Sequence, residues 1–134
     1  MSDPYDPRYL QGIDYFNRGA FFDAHEVWEE LWTDTEGPAR RFYQGLIQVA
    51  VCLHHFGNGN TRGACRLYHS STAYLLAFCP RHAGLDMQPF LQKFQQCCAD
   101  LVASSEPLPR IKFDPRRTPR IELSGDELVA KTSL

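Results

Sequence analysis

Five segments of the chain repeat apolar residues at three- and four-residue spacing, as helices that bury one face do. Tyr9, Ile13 and Phe16 mark a helix from about Pro7 to Asn17, with Gly19 past its end, where left-handed backbone often closes a helix. Ala24, Val27, Trp28 and Leu31 predict a second helix, from Ala24 to about Asp34, stopped by Gly37-Pro38. The third, from about Ala39 to Phe56, is apolar nearly all round. Phe42, Gly45, Leu46, Val49, Cys52, Leu53 and Phe56 form a broad face, and Tyr43, Ile47, Ala50 and Val51 continue it. Such a helix belongs at the centre of a bundle. The turn GNGN (57–60) leads to a fourth helix, Thr61 to Phe78, ended by Cys79-Pro80. Asp86 is placed to cap a fifth, Met87 to Ala103, with Phe90, Phe94, Cys97 and Leu101 on one side.

Pro107, Pro109, Pro115 and Pro119 forbid a helix through the segment that follows. An extended strip is expected there, with Ile111, Phe113, Ile121 and Leu123 as alternating anchors, and loose chain or a short helix over the last ten residues. The expected fold is all-α: a compact bundle of about five helices in a domain of residues 1–103. An extended, proline-rich C-terminal tail, 104–134, packs on that domain or trails from it.

Composition alters this picture little. A chain of 134 residues suits one domain. No run of about 18 apolar residues occurs, so a membrane span is not expected. The opening MSDPYDPRY is polar and unlike a signal peptide, which makes a cytoplasmic location the default. Five cysteines without C-x-x-C spacing are expected as reduced, mostly buried thiols. A net charge of −2 argues against a nucleic-acid partner, and a homo-oligomer is left open. The charge is uneven. Residues 23–36 hold six acids and no base, whereas the tail carries Arg110, Lys112, Arg116, Arg117 and Arg120. An anion-binding patch in the tail would lack an aromatic platform beyond Phe113.

Candidate chemistry gathers in FFDAHEVWEELW (21–32). Asp23 reads as an N-cap, Glu26 as its capping-box partner, and Phe22 with Val27 as a hydrophobic staple. His25 and Glu29 lie one turn apart on one edge, beside Trp32. On the third helix Gln44, Gln48 and His55 form a narrow polar stripe, with His54 on a different flank. Buried polar groups need partners, so the two sets are expected to face each other as a ligand pocket or structural network. Tyr68 and Tyr74 are candidates to add hydroxyls. Gly45 suggests close approach by a neighbour, such as a tryptophan of the second helix. Asn60, Arg62 and Gly63 open the fourth helix, either as a plain cap or as an anion site.

The strings F-x-x-G-x-F-F-x-A-H-E-V-W-E-E-L-W, Q-G-L-I-Q-x-A, His55 and G-N-x-x-G-A resemble the domain-of-unknown-function 309 family over about residues 10–78. Its H-x-x-x-E-x-x-W hallmark falls on His25, Glu29 and Trp32, and its Q-G-x-x-Q on Gln44, Gly45 and Gln48. Its G-N-x-x-G-A falls on Gly59, Asn60, Gly63 and Ala64. The resemblance implies a small all-helical fold and no established activity.

Three functions fit these residues. The first is a binding or interaction domain. The second is a metal-dependent enzyme, a hydrolase, with His25, Glu29 and His55 holding zinc or iron. In the third, Glu29 orients His25 for metal-free acid–base chemistry. No P-loop, nucleophile elbow or dinucleotide fingerprint is present, which favours the binding reading.

Overall fold

A computed structural model of the protein describes residues 5–103 and 111–124. Asp6 caps the first helix, α1 (Pro7–Asn17), by accepting from the Arg8 backbone N–H at 2.8 Å, and proline at the first position suits the free amide there. Then follow α2 (Phe21–Thr33), α3 (Pro38–Gly57) and α4 (Thr61–Leu76). A two-stranded antiparallel hairpin, β1 (Arg81–His82) and β2 (Leu85–Asp86), leads into α5 (Met87–Cys97) and α6 (Ala99–Ala103). A short 3-10 turn spans Pro115–Arg117.

The described residues are all-α apart from the hairpin. Sequential neighbours pack together, α1 on α2, α2 on α3 and α3 on α4, so α3 is the middle rod its apolar surface predicts. Phe42, Leu46, Val49, Leu53 and Phe56 are buried along it. All five cysteines are free thiols, and Cys52, Cys97 and Cys98 are buried. Among the described residues no helix is long and apolar enough to cross a membrane.

Several boundaries differ from expectation. The second helix begins at Phe21, so Asp23 lies in its first turn rather than at the cap. Ala20 is the N-cap, with no side-chain bond, and neither the capping box nor the staple forms. The cause lies upstream. Gly19, at φ 81°, reverses the chain at once, and the Ala20 N–H bonds back to the Tyr15 carbonyl at 2.9 Å. Phe21 must already be helical to bury against Phe16, ring to ring at 5.2 Å.

The fourth helix stops at Leu76, short of Phe78. The expected fifth helix is two, with a break at Cys98 that leaves Cys98 and Leu101 fully buried. The hairpin was not expected, because two residues per strand carry no readable alternation. Its turn is held from outside: the Tyr9 hydroxyl donates to the Ala83 carbonyl at 2.9 Å.

Two helical glycines mark close contacts. At Gly45 a Cβ would stand 2.7 Å from Leu75 Cδ2, so the close neighbour is α4 and not a tryptophan of α2. The tryptophan contact exists elsewhere. Trp28 lies over Gly12 of α1, and its indole N–H donates to the Tyr9 carbonyl at 3.2 Å.

Residues 111–124 pack on the helices. Phe113 meets Phe56 at 5.3 Å and Phe21 at 6.2 Å, and Ile121 is buried. Expectations for Pro107, Pro109 and the last ten residues fall outside the described residues. Asn17 clamps the strip: its Nδ2 donates to the Ile121 carbonyl at 2.9 Å, and its Oδ1 accepts the Ile121 N–H at 2.8 Å. Asn17→Ala therefore orphans two backbone groups of a packed segment, a local cost of about 1–3 kcal/mol each. Trypsin should cut at Arg116, Arg117 or Arg120 at least roughly tenfold faster in the variant, because the cost is spent on local opening. Unchanged cleavage would show that other contacts hold the strip.

Candidate functional site

Residues 25, 29 and 32 share one edge of α2 through spacings of four and three. His25 Nε2 stands 2.7 Å from Glu29 Oε2, with 21% of the histidine side chain and 54% of the glutamate side chain exposed. His25 Nδ1 is 3.3 Å from the Phe22 carbonyl oxygen. Both ring nitrogens thus face acceptors of their own helix. A neutral imidazole has one N–H, which the shorter contact to Glu29 claims, whereas an imidazolium satisfies both. In neither form is a nitrogen lone pair presented outward to a metal or a substrate proton.

Phe22 is 50% exposed. Its ring centroid lies 5.2 Å from that of His25 and 5.3 Å from that of His54 on α3. His54 Nε2 in turn accepts from Asn58 Nδ2 at 3.1 Å. At the other end of the edge the Arg40 guanidinium carbon sits 3.8 Å above the Trp32 ring, and Arg40 Nε donates to the Trp32 carbonyl at 3.3 Å. The Trp32 indole nitrogen is enclosed without a hydrogen-bond partner among the described residues.

Gln48 turns to α4. Gln48 Oε1 accepts from the Ser70 hydroxyl at 2.5 Å, and Gln44 lies partly buried one turn earlier. His55 Nδ1 is 3.4 Å from Asn60 Nδ2. Of the two tyrosines, Tyr74 lies beside Gly45 and Tyr68 packs on Phe94 at 4.9 Å. Among the described residues no three of histidine, cysteine, aspartate and glutamate come together as a group able to hold a metal ion. At the start of α4, Asn60 Oδ1 accepts the Gly63 N–H at 3.0 Å. That is a cap.

The edge is negative. Asp23, Glu26, Glu29 and Glu30 are exposed on α2, and residues 19–37 contain no lysine or arginine. Arg8 answers Asp34 at the C-terminal end, at 2.7 Å. Hydrogen bonds from the Arg8 side chain and backbone also hold the Asp6 carboxyl below its ordinary range.

Phe22, Arg40 and His54 were absent from the sequence-based set. Their signal was present: in an antiparallel pair, the flank of α3 that meets α2 is the one bearing Arg40 and His54. His55 faces elsewhere.

Residues 9–67 match the model of the family described as Domain of unknown function (DUF309). Over that segment the chain is similar to the DUF309 family. The segment covers α1 to α3 and the first half of α4, and so includes both ends of the α2 edge. The chain is 41% identical over 66 residues to the uncharacterized protein YpuF of Bacillus subtilis strain 168, covering 48% of this chain and 38% of that protein. An uncharacterized protein of Aquifex aeolicus strain VF5 is 36% identical over 53 residues, 39% of this chain and 16% of that protein. The chain therefore matches less than half the length of either relative.

Proposed function

We propose that the chain is a small helical binding domain that receives a cationic, aromatic-bearing segment of a partner protein along the Phe22–His25–Glu29 edge of α2. The observation that carries this reading is the half-exposed Phe22 ring seated between His25 and His54, beside a carboxylate that His25 holds in place. Covering the ring removes apolar surface from water. A carboxylate already oriented by its neighbour loses little freedom on binding. The surrounding acids favour a cationic partner and speed its approach. Arg40 on Trp32 illustrates the contact: this edge already accepts a guanidinium on an aromatic face. The engagement of both His25 nitrogens supports recognition over catalysis.

The test is an NMR titration of the labelled full chain with an Arg-Trp-Arg peptide and a Glu-Trp-Glu control. Signals of Phe22, His25, Glu29 and His54 should shift with the first only. Phe22→Ala and Glu29→Gln should each weaken binding about fivefold to tenfold, the worth of one cation–π or charged contact. Their melting temperatures should stay within about 2 °C, as for exposed positions. Equal shifts with both peptides, or variants that lose stability instead of affinity, would make the cluster a structural network.

A further inference from the structure

We infer that the cleft between α5 and the Pro115–Arg117 turn binds a small organic phosphate, with the phosphate between Lys93 and Arg117 and the apolar body against Pro89, over a floor at Phe90. This site is independent of the α2 edge. The cleft encloses about 680 Å³, within the range of small-molecule sites. One wall is a helical row of α5 that includes Phe90, Lys93 and Gln96. The other is the tail, which brings Arg116, Arg117 and Arg120 opposite. An Arg117 guanidinium N–H donates to the Gln96 carbonyl and fixes the tail against the helix.

Counting which charges are already answered selects the ligand. Arg116 pairs with Asp114 at 3.1 Å and Arg120 with Glu122 at 3.3 Å. Asp86, the other carboxylate of the lining, accepts from the Ser124 hydroxyl at 3.2 Å and lies 3.8 Å from Arg81. Lys93 has no partner among the described residues, and Arg117, tied to the Gln96 carbonyl, meets Asp100 only at 4.0 Å. These two least neutralised cations match the charge of one phosphate monoester, roughly −1.5 to −2 at neutral pH, better than that of a single carboxylate. Phe90 is almost fully enclosed, at 3% exposure, so it offers a floor for a small apolar body and no open ring for stacking successive bases.

Phenyl phosphate is the probe, titrated into the full chain at constant ionic strength and followed by NMR, with inorganic phosphate and benzoate as comparisons. Saturable shifts at Phe90, Lys93 and Arg117 are expected. Inorganic phosphate, benzoate and the Lys93→Gln variant should each bind roughly tenfold more weakly, and Lys93→Arg should retain affinity. Lys93 is exposed, so Lys93→Gln should fold normally, which its circular dichroism checks. Unchanged affinity in Lys93→Gln, an effect reproduced by sodium chloride, or inorganic phosphate equal to phenyl phosphate would overturn the proposal. So would a single-stranded oligonucleotide that binds at the same residues more tightly than the probe.

Discussion

Gly12→Ala should destabilise the protein by about 3 kcal/mol or more, the upper range for overpacking a core, and lower its melting temperature by roughly 10 °C. A Cβ at this position would lie 2.0 Å from Trp28 Nε1, 2.4 Å from Cδ1 and 2.5 Å from Cε2. Those are atoms of a rigid ring that is fully buried, so no flexible end can swing away. Either α1 lifts from α2, or Trp28 leaves its place and the indole N–H loses the Tyr9 carbonyl. Gly57→Ala is the matched control. Its Cβ would meet only Phe113 Cδ2, at an ordinary 3.7 Å, and alanine is the better helix former. That variant should be neutral or stabilised by up to about 1 kcal/mol. Thermal melts of both decide the matter. A Gly12→Ala protein within 1 kcal/mol of the parent, by the uncertainty usual for such changes, would mean that Trp28 is not seated on α1.

Gly12 also marks where reading the sequence stopped short. A glycine inside an apolar helix face signals close approach, but not by whom. Gly45, in the central helix, is the glycine for which the sequence suggests a tryptophan neighbour. Trp28 in fact sits on Gly12, and Gly45 admits α4. Periodicity gives the direction of a side chain around its own helix, so the His25–Glu29 pair was legible from a four-residue spacing. It does not say which flank of an all-round apolar rod meets which neighbour. Gln48 and His55 therefore seemed to face α2, whereas Gln48 bonds Ser70 on α4 and His54 meets Phe22.

The ends of α1 and α3 were readable because proline opens both, and a glycine lies just past the first and within the turn after the second. The start of α2 was not. Its N-terminus is set by a glycine turn that leaves no side-chain signature, while Asp23-x-x-Glu26 imitates a capping box. Asp86 stands at the N-cap of α5 as expected, but its carboxylate is drawn to Ser124 and Arg81 by a tail whose path no local pattern encodes.

Phe42→Ala should cost about 3–5 kcal/mol, as truncation of buried phenylalanine does, and should also change how stability depends on pH. Phe42 is fully buried and joins α1 to the hairpin: its ring lies 6.1 Å from Tyr9, 5.4 Å from Phe78 and 4.5 Å from His82. His82 is held between Phe42 and Phe78, and burial there pushes its imidazole below the ordinary value of 6.5. The charged form is disfavoured in the folded state only. His82 therefore contributes stability that is fully present above the ordinary value and is lost as pH falls below it, because the unfolded chain then binds the extra proton. Urea denaturation between pH 8 and pH 5 should show the parent losing stability on the acid side, and His82→Gln should lose less. Removing the Phe42 ring admits water to the imidazole, so Phe42→Ala should be the less stable protein at every pH and yet the less sensitive to acid. If its stability falls with pH as steeply as the parent's, His82 is not shielded by Phe42.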